Sequence, residues 1–182
     1  MASSIKVLPV ALVLFVALTA LTTEEKIWAS ESLDLPNGSK LQLGKTCPVC
    51  GMKVGGELES PAIFGYQEGR LTAFAGAAVA VFQDGKVVGF DGAHCLFVYN
   101  TIPKRFGIDV TKIARSFVVD FETKKFIDAN QAFLVLGTSI RGFMGYALVP
   151  FTSRERAEAF KKEYGGKEVV QLHTATPDKA DR

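Results

Sequence analysis

Sulfur is concentrated in one short segment, Thr46-Cys47-Pro48-Val49-Cys50-Gly51-Met52, which holds two of the three cysteines and one of the three methionines. Four chemistries compete for it. A C-P-x-C-G run resembles one knuckle of a zinc ribbon, which needs a second ligand pair to close a tetrahedral site. No second C-x-x-C exists, although Cys95 and His94 complete a Cys₃His set with Cys47 and Cys50. A redox dithiol Cys47–Cys50 wants a following helix, and Gly51 and Gly55-Gly56 disfavour one here. A haem-attachment motif needs His at position 51, where Gly stands. A plain Cys47–Cys50 disulfide is the bland alternative in an oxidising compartment.

The remaining chemistry uses Met52. In an extended segment, Cys50 and Met52 project to the same side and offer a thiolate and a thioether together. Such soft ligands select Cu(I). Met144, in the loop Gly142-Phe143-Met144-Gly145, is a candidate third sulfur ligand, against the alternative of a gap-filling core Met. His94 stands near the start of an expected helix, within reach of a site near the strand ends or exposed to solvent. Cys95 shares a helical face with Tyr99 and Ile102, which reads as packing. The candidate metal ligands are therefore Cys50, Met52, Cys47, Met144 and His94.

Two similar runs of elements must position these residues. Ala77 to Phe82 and Val87 to Phe90 are apolar strands joined by an Asp84-Gly85 turn. Asp91 then caps a helix from Gly92 to Ile102 that Pro103 closes, and Arg115 to Phe121 is a further strand. The second run repeats this order. Ala132 to Leu136 and Tyr146 to Val149 are strands. Thr152 and Glu155 stand at capping-box spacing, and Ala157, Phe160, Lys161 and Tyr164 share one helical face. Gly165-Gly166 ends that helix and Val169 to Leu172 is the last strand. Phe90-Asp91 and Phe151-Thr152 mark equivalent corners. The expected fold is α+β, two related ββαβ halves forming one compact unit after an N-terminal signal segment.

Val7 to Leu21 is an apolar stretch behind Lys6, too short for a comfortable membrane span of roughly 20 residues. It fits the apolar region of a secretory signal peptide. The expected organisation is a signal peptide or uncleaved anchor over 1–29 and a polar linker over 30–46. A first ββαβ half with the metal segment follows over 47–113, a second over 114–175, and a tail over 176–182. Export would place the protein in the periplasm, with the membrane touched only through an uncleaved N-terminal segment. No cysteine precedes Cys47, so this sequence offers no lipid-bearing Cys. The net charge of +2 in 182 residues gives no argument for nucleic acid. No G-x-S-x-G, H-E-x-x-H or phosphate-loop pattern is present, so the residues read as a metal carrier and not an enzyme.

A resemblance sharpens this. Cys50-Gly51-Met52-Lys53-Val54 is similar to the C-x-M-x-V pattern of the NosL family, accessory proteins of nitrous oxide reductase. The run Val135-Leu136-Gly137-Thr138-Ser139, Phe143-Met144-Gly145, Val149-Pro150-Phe151-Thr152-Ser153, Ala157 to Phe160 and Tyr164-Gly165-Gly166 resembles that family in order and spacing. The resemblance covers roughly residues 46 to 173. It implies a periplasm-facing Cu(I) chaperone that helps build a copper enzyme, and a fold of two ββαβ units. Its implied partner is an apo copper enzyme or that enzyme's membrane maturation complex. An exported structural-zinc protein using Cys47, Cys50, Cys95 and His94, and a Cys47–Cys50 redox protein, remain the alternatives.

Overall fold

A computed structural model describes residues 32–55 and 62–174. The expected signal segment over 1–29 and the tail over 176–182 lie outside the described residues. The chain runs through β1 (Ser32–Asp34), β2 (Lys40–Gln42), β3 (Ala62–Gln67), β4 (Arg70–Gly76), β5 (Ala78–Phe82), β6 (Val87–Phe90) and α1 (Ala93–Thr101). It continues through β7 (Ile113–Val119), β8 (Phe126–Asp128), β9 (Phe133–Leu136), β10 (Arg141–Gly142), β11 (Gly145–Tyr146), β12 (Val149–Phe151), α2 (Arg154–Tyr164) and β13 (Glu168–Gln171).

The repeat is real. In the first unit β5 lies between β6 and β7, antiparallel to both, and α1 follows β6. In the second unit β9 lies between β12 and β13, antiparallel to both, and α2 follows β12. The central strands explain why their sequences are continuous apolar runs. Ala78 to Val81 are all buried, as are Leu134, Val135 and Leu136. Successive strand residues point to opposite faces. Thus Leu134 and Leu136 enter the core around α1 and β5, while Val135 enters the core under α2. The second sheet is buried on both sides, between the first unit and its own helix. The 113/114 boundary expected between the halves falls at the start of β7, which pairs with β5 and completes the first unit.

Both helices begin differently from the expectation. The N-cap of α1 is Gly92, with no side-chain cap, and Asp91 is turned inward instead. The N-cap of α2 is Ser153, whose side chain accepts a hydrogen bond from the Arg156 amide. Thr152 is occupied elsewhere, giving its hydroxyl and its amide to Asp120 Oδ2, each at 2.8 Å. The end of α2 follows expectation: Gly165 has φ +72° and ends the helix in the left-handed conformation.

The stretch over 30–46 does not behave as a linker where the structure describes it. β1 and β2 form an antiparallel hairpin, and Leu35 and Leu41 are buried in the first core. Leu41 reaches β6 because residue 89 is glycine. A Cβ there would stand 2.6 Å from Leu41 Cδ1 and 3.0 Å from Val54 Cγ1. Strands β3 and β4, also unexpected, form a hairpin whose turn residues Glu68 and Gly69 both have positive φ. β4 in turn pairs with β10, so this hairpin ties the region before β5 to the loop of the second unit.

Candidate metal centre

Residues 44–54 fold back on themselves between β2 and β3. The Gly44 amide bonds to the Val54 carbonyl and the Val54 amide to the Lys45 carbonyl, both at 2.9 Å. Thr46 and Lys53 bridge next, then the Cys47 amide donates to the Met52 carbonyl at 2.7 Å. At the tip the Gly51 amide donates to the Cys47 carbonyl at 3.0 Å, and Gly51 has φ +79°. A side chain at that φ would be strained, which accounts for the glycine. The chain therefore turns between Cys50 and Met52. The extended geometry expected to aim both sulfurs one way is absent, and Met52 stands 41% exposed beside the turn.

The turn presents its sulfurs to the corner where β6 meets α1. Atoms of Cys47, Cys50, Asp91 and Cys95 that can bind a metal all lie within 4.8 Å of one another. Cys47 and Cys95 are each 1% exposed and Asp91 is 4% exposed; Cys50 is half-buried. All three cysteines are free thiols. Cys95 is thus not merely a packing residue: α1 delivers its sulfur to the pair on the turn. Asp91 and Cys95 also sit at the N-terminal end of α1, where the helix dipole favours negative charge.

The thiols are not equivalent. A hydrogen bond with the Cys95 thiol holds Cys47 down at about 6, against the upward push of burial. Backbone hydrogen bonds at Cys50, Asp91 and Val49 lower it further. Cys50 is pushed up to about 12, first by burial and then by Asp91 and Cys47, with the Met52 backbone opposing. Cys95 is pushed strongly up, first by its hydrogen bond with Cys47, then by burial and by the Asp91 charge. Cys47 is thus the most acidic of the three thiols, while Cys50 and Cys95 are held towards their protonated forms. Thiolates are the metal-binding form, so Cys47 is the thiol of the three most ready to bind one.

A small pocket adjoins the cluster. His94 and Met144 line it with Asp91, Cys95, Phe143 and Tyr146. The β10–β11 hairpin thus carries Met144, 45% exposed, to the start of α1. The structure brings Met144 and His94 to one side of the thiols. His94 is not among the four clustered donors: where the alternative zinc reading had His94 beside the three cysteines, the structure has Asp91. Asp91 was missed as a donor because an Asp before a helix reads first as a cap. Its place four residues before Cys95 was the available signal.

A family model, NosL, matches residues 39–180. The crystal structure of the copper chaperone NosL from Shewanella denitrificans superposes with a TM-score of 0.56 at 23% identity, covering 74% of this chain and 91% of that one. The solution structure of the apo-NosL protein from Achromobacter cycloclastes gives a TM-score of 0.42 at 26% identity, covering 57% of this chain and 87% of that one. The Shewanella protein shares the fold of this chain. No curated protein matches the chain.

Proposed function

The chain belongs to the NosL family, and from that premise we propose that it is a copper carrier whose cargo is Cu(I), held by the thiols of Cys47, Cys50 and Cys95. The observation that carries this reading is the convergence of three cysteines from two separate segments within 4.8 Å. Soft thiolates select Cu(I), and Cu(I) accepts a two- or three-sulfur environment. Met52 and Met144, both exposed, are thioethers suited to receive copper on its way out, since a neutral sulfur holds it less firmly than a thiolate. The resemblance extends the reading to an exported protein, working in the periplasm, that supplies copper during assembly of a copper enzyme such as nitrous oxide reductase. The protein carries copper and catalyses nothing.

Anaerobic titration of reduced protein against a coloured Cu(I) chelator tests this. About one Cu(I) per chain should be withdrawn from the chelator, the stoichiometry of a single soft cluster. Cys50→Ser and Cys95→Ser should each weaken that competition. Met52→Ala should leave the fold intact and slow stopped-flow transfer to a second chelator. Failure of the reduced wild-type protein to compete at all would refute the carrier reading.

A further inference from the structure

The end of the first unit away from the metal centre is a surface rich in cations. α1 closes at Thr101, and two short 3₁₀ turns, Pro103–Phe106 and Val110–Lys112, lead from it into β7. Pro103 opens the first, its fixed φ suiting the start of a helical turn. The Phe106 ring packs on Tyr99, with centroids 5.3 Å apart, and holds that turn against the core. The second is tied to the β5–β6 turn. There the Gln83 amide donates to the Lys112 carbonyl at 2.9 Å, and Gln83 Nε2 to the Thr111 carbonyl at 3.2 Å. Lys86, Lys104, Arg105 and Lys112 are all exposed on this frame.

None of these four cations is ion-paired with a carboxylate among the described residues. Lys86 and Arg105 lie instead over the rings of Phe82 and Phe106, at 5.8 and 5.9 Å from the centroids. The second unit neutralises its cations internally: Arg154 and Lys161 pair with Glu158, and Arg156 with Glu122. Two acids stand near the four cations, and each is engaged by its own turn. Asp84 Oδ1 accepts the Lys86 amide at 2.9 Å, and Asp109 Oδ1 accepts the amide and hydroxyl of Thr111 at 3.1 and 2.6 Å. Ile102, 39% exposed, stands just before Pro103 and beside Lys104 and Arg105. Cations without counter-charges around an exposed aliphatic side chain are the composition that binds an anionic layer over hydrocarbon.

We infer that this end of the first unit docks on an anionic lipid surface. Lys86, Lys104, Arg105 and Lys112 face the headgroups, and Ile102 enters the boundary with the acyl chains. Three of the four cations are lysines, which are depleted at protein interfaces, so lipid fits the surface better than an acidic protein does. The contact also fixes an orientation. α1 runs from the metal centre to this surface, and its nine residues span about 14 Å. β6 runs the same interval, from the β5–β6 turn to Asp91. Docking here turns the metal centre away from the lipid and leaves it open to an acceptor. The lipid contact does not depend on the copper reading, since it shares no residue with the thiol cluster.

Hydrogen exchange of the full chain with vesicles reads the surface directly. Vesicles of phosphatidylethanolamine with phosphatidylglycerol should slow exchange over residues 102–112, vesicles of phosphatidylcholine should not, and high salt should reverse the effect. At about fivefold in binding per cation, Lys104→Gln together with Arg105→Gln should raise the anionic lipid needed about thirtyfold. Both side chains are exposed, and an unchanged near-ultraviolet dichroism spectrum would show that the fold is kept. Ile102→Ser should weaken binding while leaving its salt dependence in place. Equal protection by both kinds of vesicle, protection by neither, or a double variant that binds like wild type would overturn the inference. So would polyglutamate protecting the same residues in place of lipid with Ile102→Ser without effect, which would assign the surface to an acidic protein.

Discussion

At the scale of single residues, the protonation of the cluster makes a prediction about metal uptake. Cys47 is held at about 6, so it is largely thiolate at neutral pH. Cys50, at about 12, and Cys95, pushed strongly up, are protonated there. A metal that binds all three must displace the protons of the latter two. Cu(I) addition to weakly buffered protein at pH 7 should therefore release about two protons, read with an indicator dye. Apparent affinity should rise with pH across the neutral range, because alkali removes protons that the metal would otherwise have to expel. Below about pH 6 the Cys47 thiolate also protonates, and affinity should fall more steeply. A pH-independent affinity with no proton release would place the cargo on other atoms, with the exposed Met52 and Met144 the first to examine. The sequence exposed this chemistry only in part. Cys47 and Cys50 were legible because C-x-x-C is a local pattern. The roles of Cys95 and Asp91 were not, because they depend on how the turn docks against α1, some forty residues further along the chain.

At the scale of elements, the short β1–β2 hairpin holds that turn in place. Leu41, 1% exposed, fills the space left by Gly89 on β6, and Val54 at the far end of the metal turn meets the same glycine. The hairpin and the turn are therefore anchored to the strand that ends at Asp91. Leu41→Ala should cost about 2–4 kcal/mol, the range for removing a buried leucine side chain and leaving a cavity. It should also loosen the metal, since the turn loses its support. Urea unfolding would measure the first effect and Cu(I) competition the second. If Leu41→Ala left both unchanged, residues 40–42 would be the polar tether that composition suggests. Composition misleads here because only alternate residues of the hairpin are apolar, and three-residue strands give too short a window for periodicity. The long apolar strands β5 and β9 were legible for the opposite reason: burial on both faces makes every residue apolar. The helix starts were misread at both corners. Asp91 and Thr152 are good capping residues by type, and each has a tertiary partner or role that outweighs the local one.

At the scale of the whole molecule, the two units are joined through a buried carboxylate just past β7. Asp120 Oδ1 accepts hydrogen bonds from the Glu122 amide at 3.1 Å, the Thr123 amide at 2.7 Å and the Thr123 hydroxyl at 2.8 Å. Its Oδ2 accepts the amide and the hydroxyl of Thr152, at the corner before α2. The neighbouring Phe121 amide donates to the Pro150 carbonyl at 2.8 Å, in β12. The first sheet thus ends by gripping the strand-to-helix corner of the second. Burial pushes the Asp120 carboxyl up, but the hydrogen bonds from Thr123 and Thr152 outweigh it and hold the group below the usual carboxylate range. A carboxyl depressed in the folded state stabilises the fold above its unfolded pKa of roughly 3.9, and that contribution is lost as pH falls through the lower folded value. Asp120→Asn keeps the shape but replaces one acceptor oxygen with a donor that faces the donors on Thr152 or Thr123. It should cost about 2–3 kcal/mol at pH 7, the scale for hydrogen bonds to a charged, buried group. The gap between wild type and variant should narrow as pH drops below 4, because the wild-type carboxylate then protonates and loses its advantage. Denaturant unfolding of both proteins between pH 7 and pH 2.5 reads this directly. A gap that stays constant down to pH 2.5 would mean that Asp120 acts through shape alone, and no gap at pH 7 would mean that the two units are held together without it.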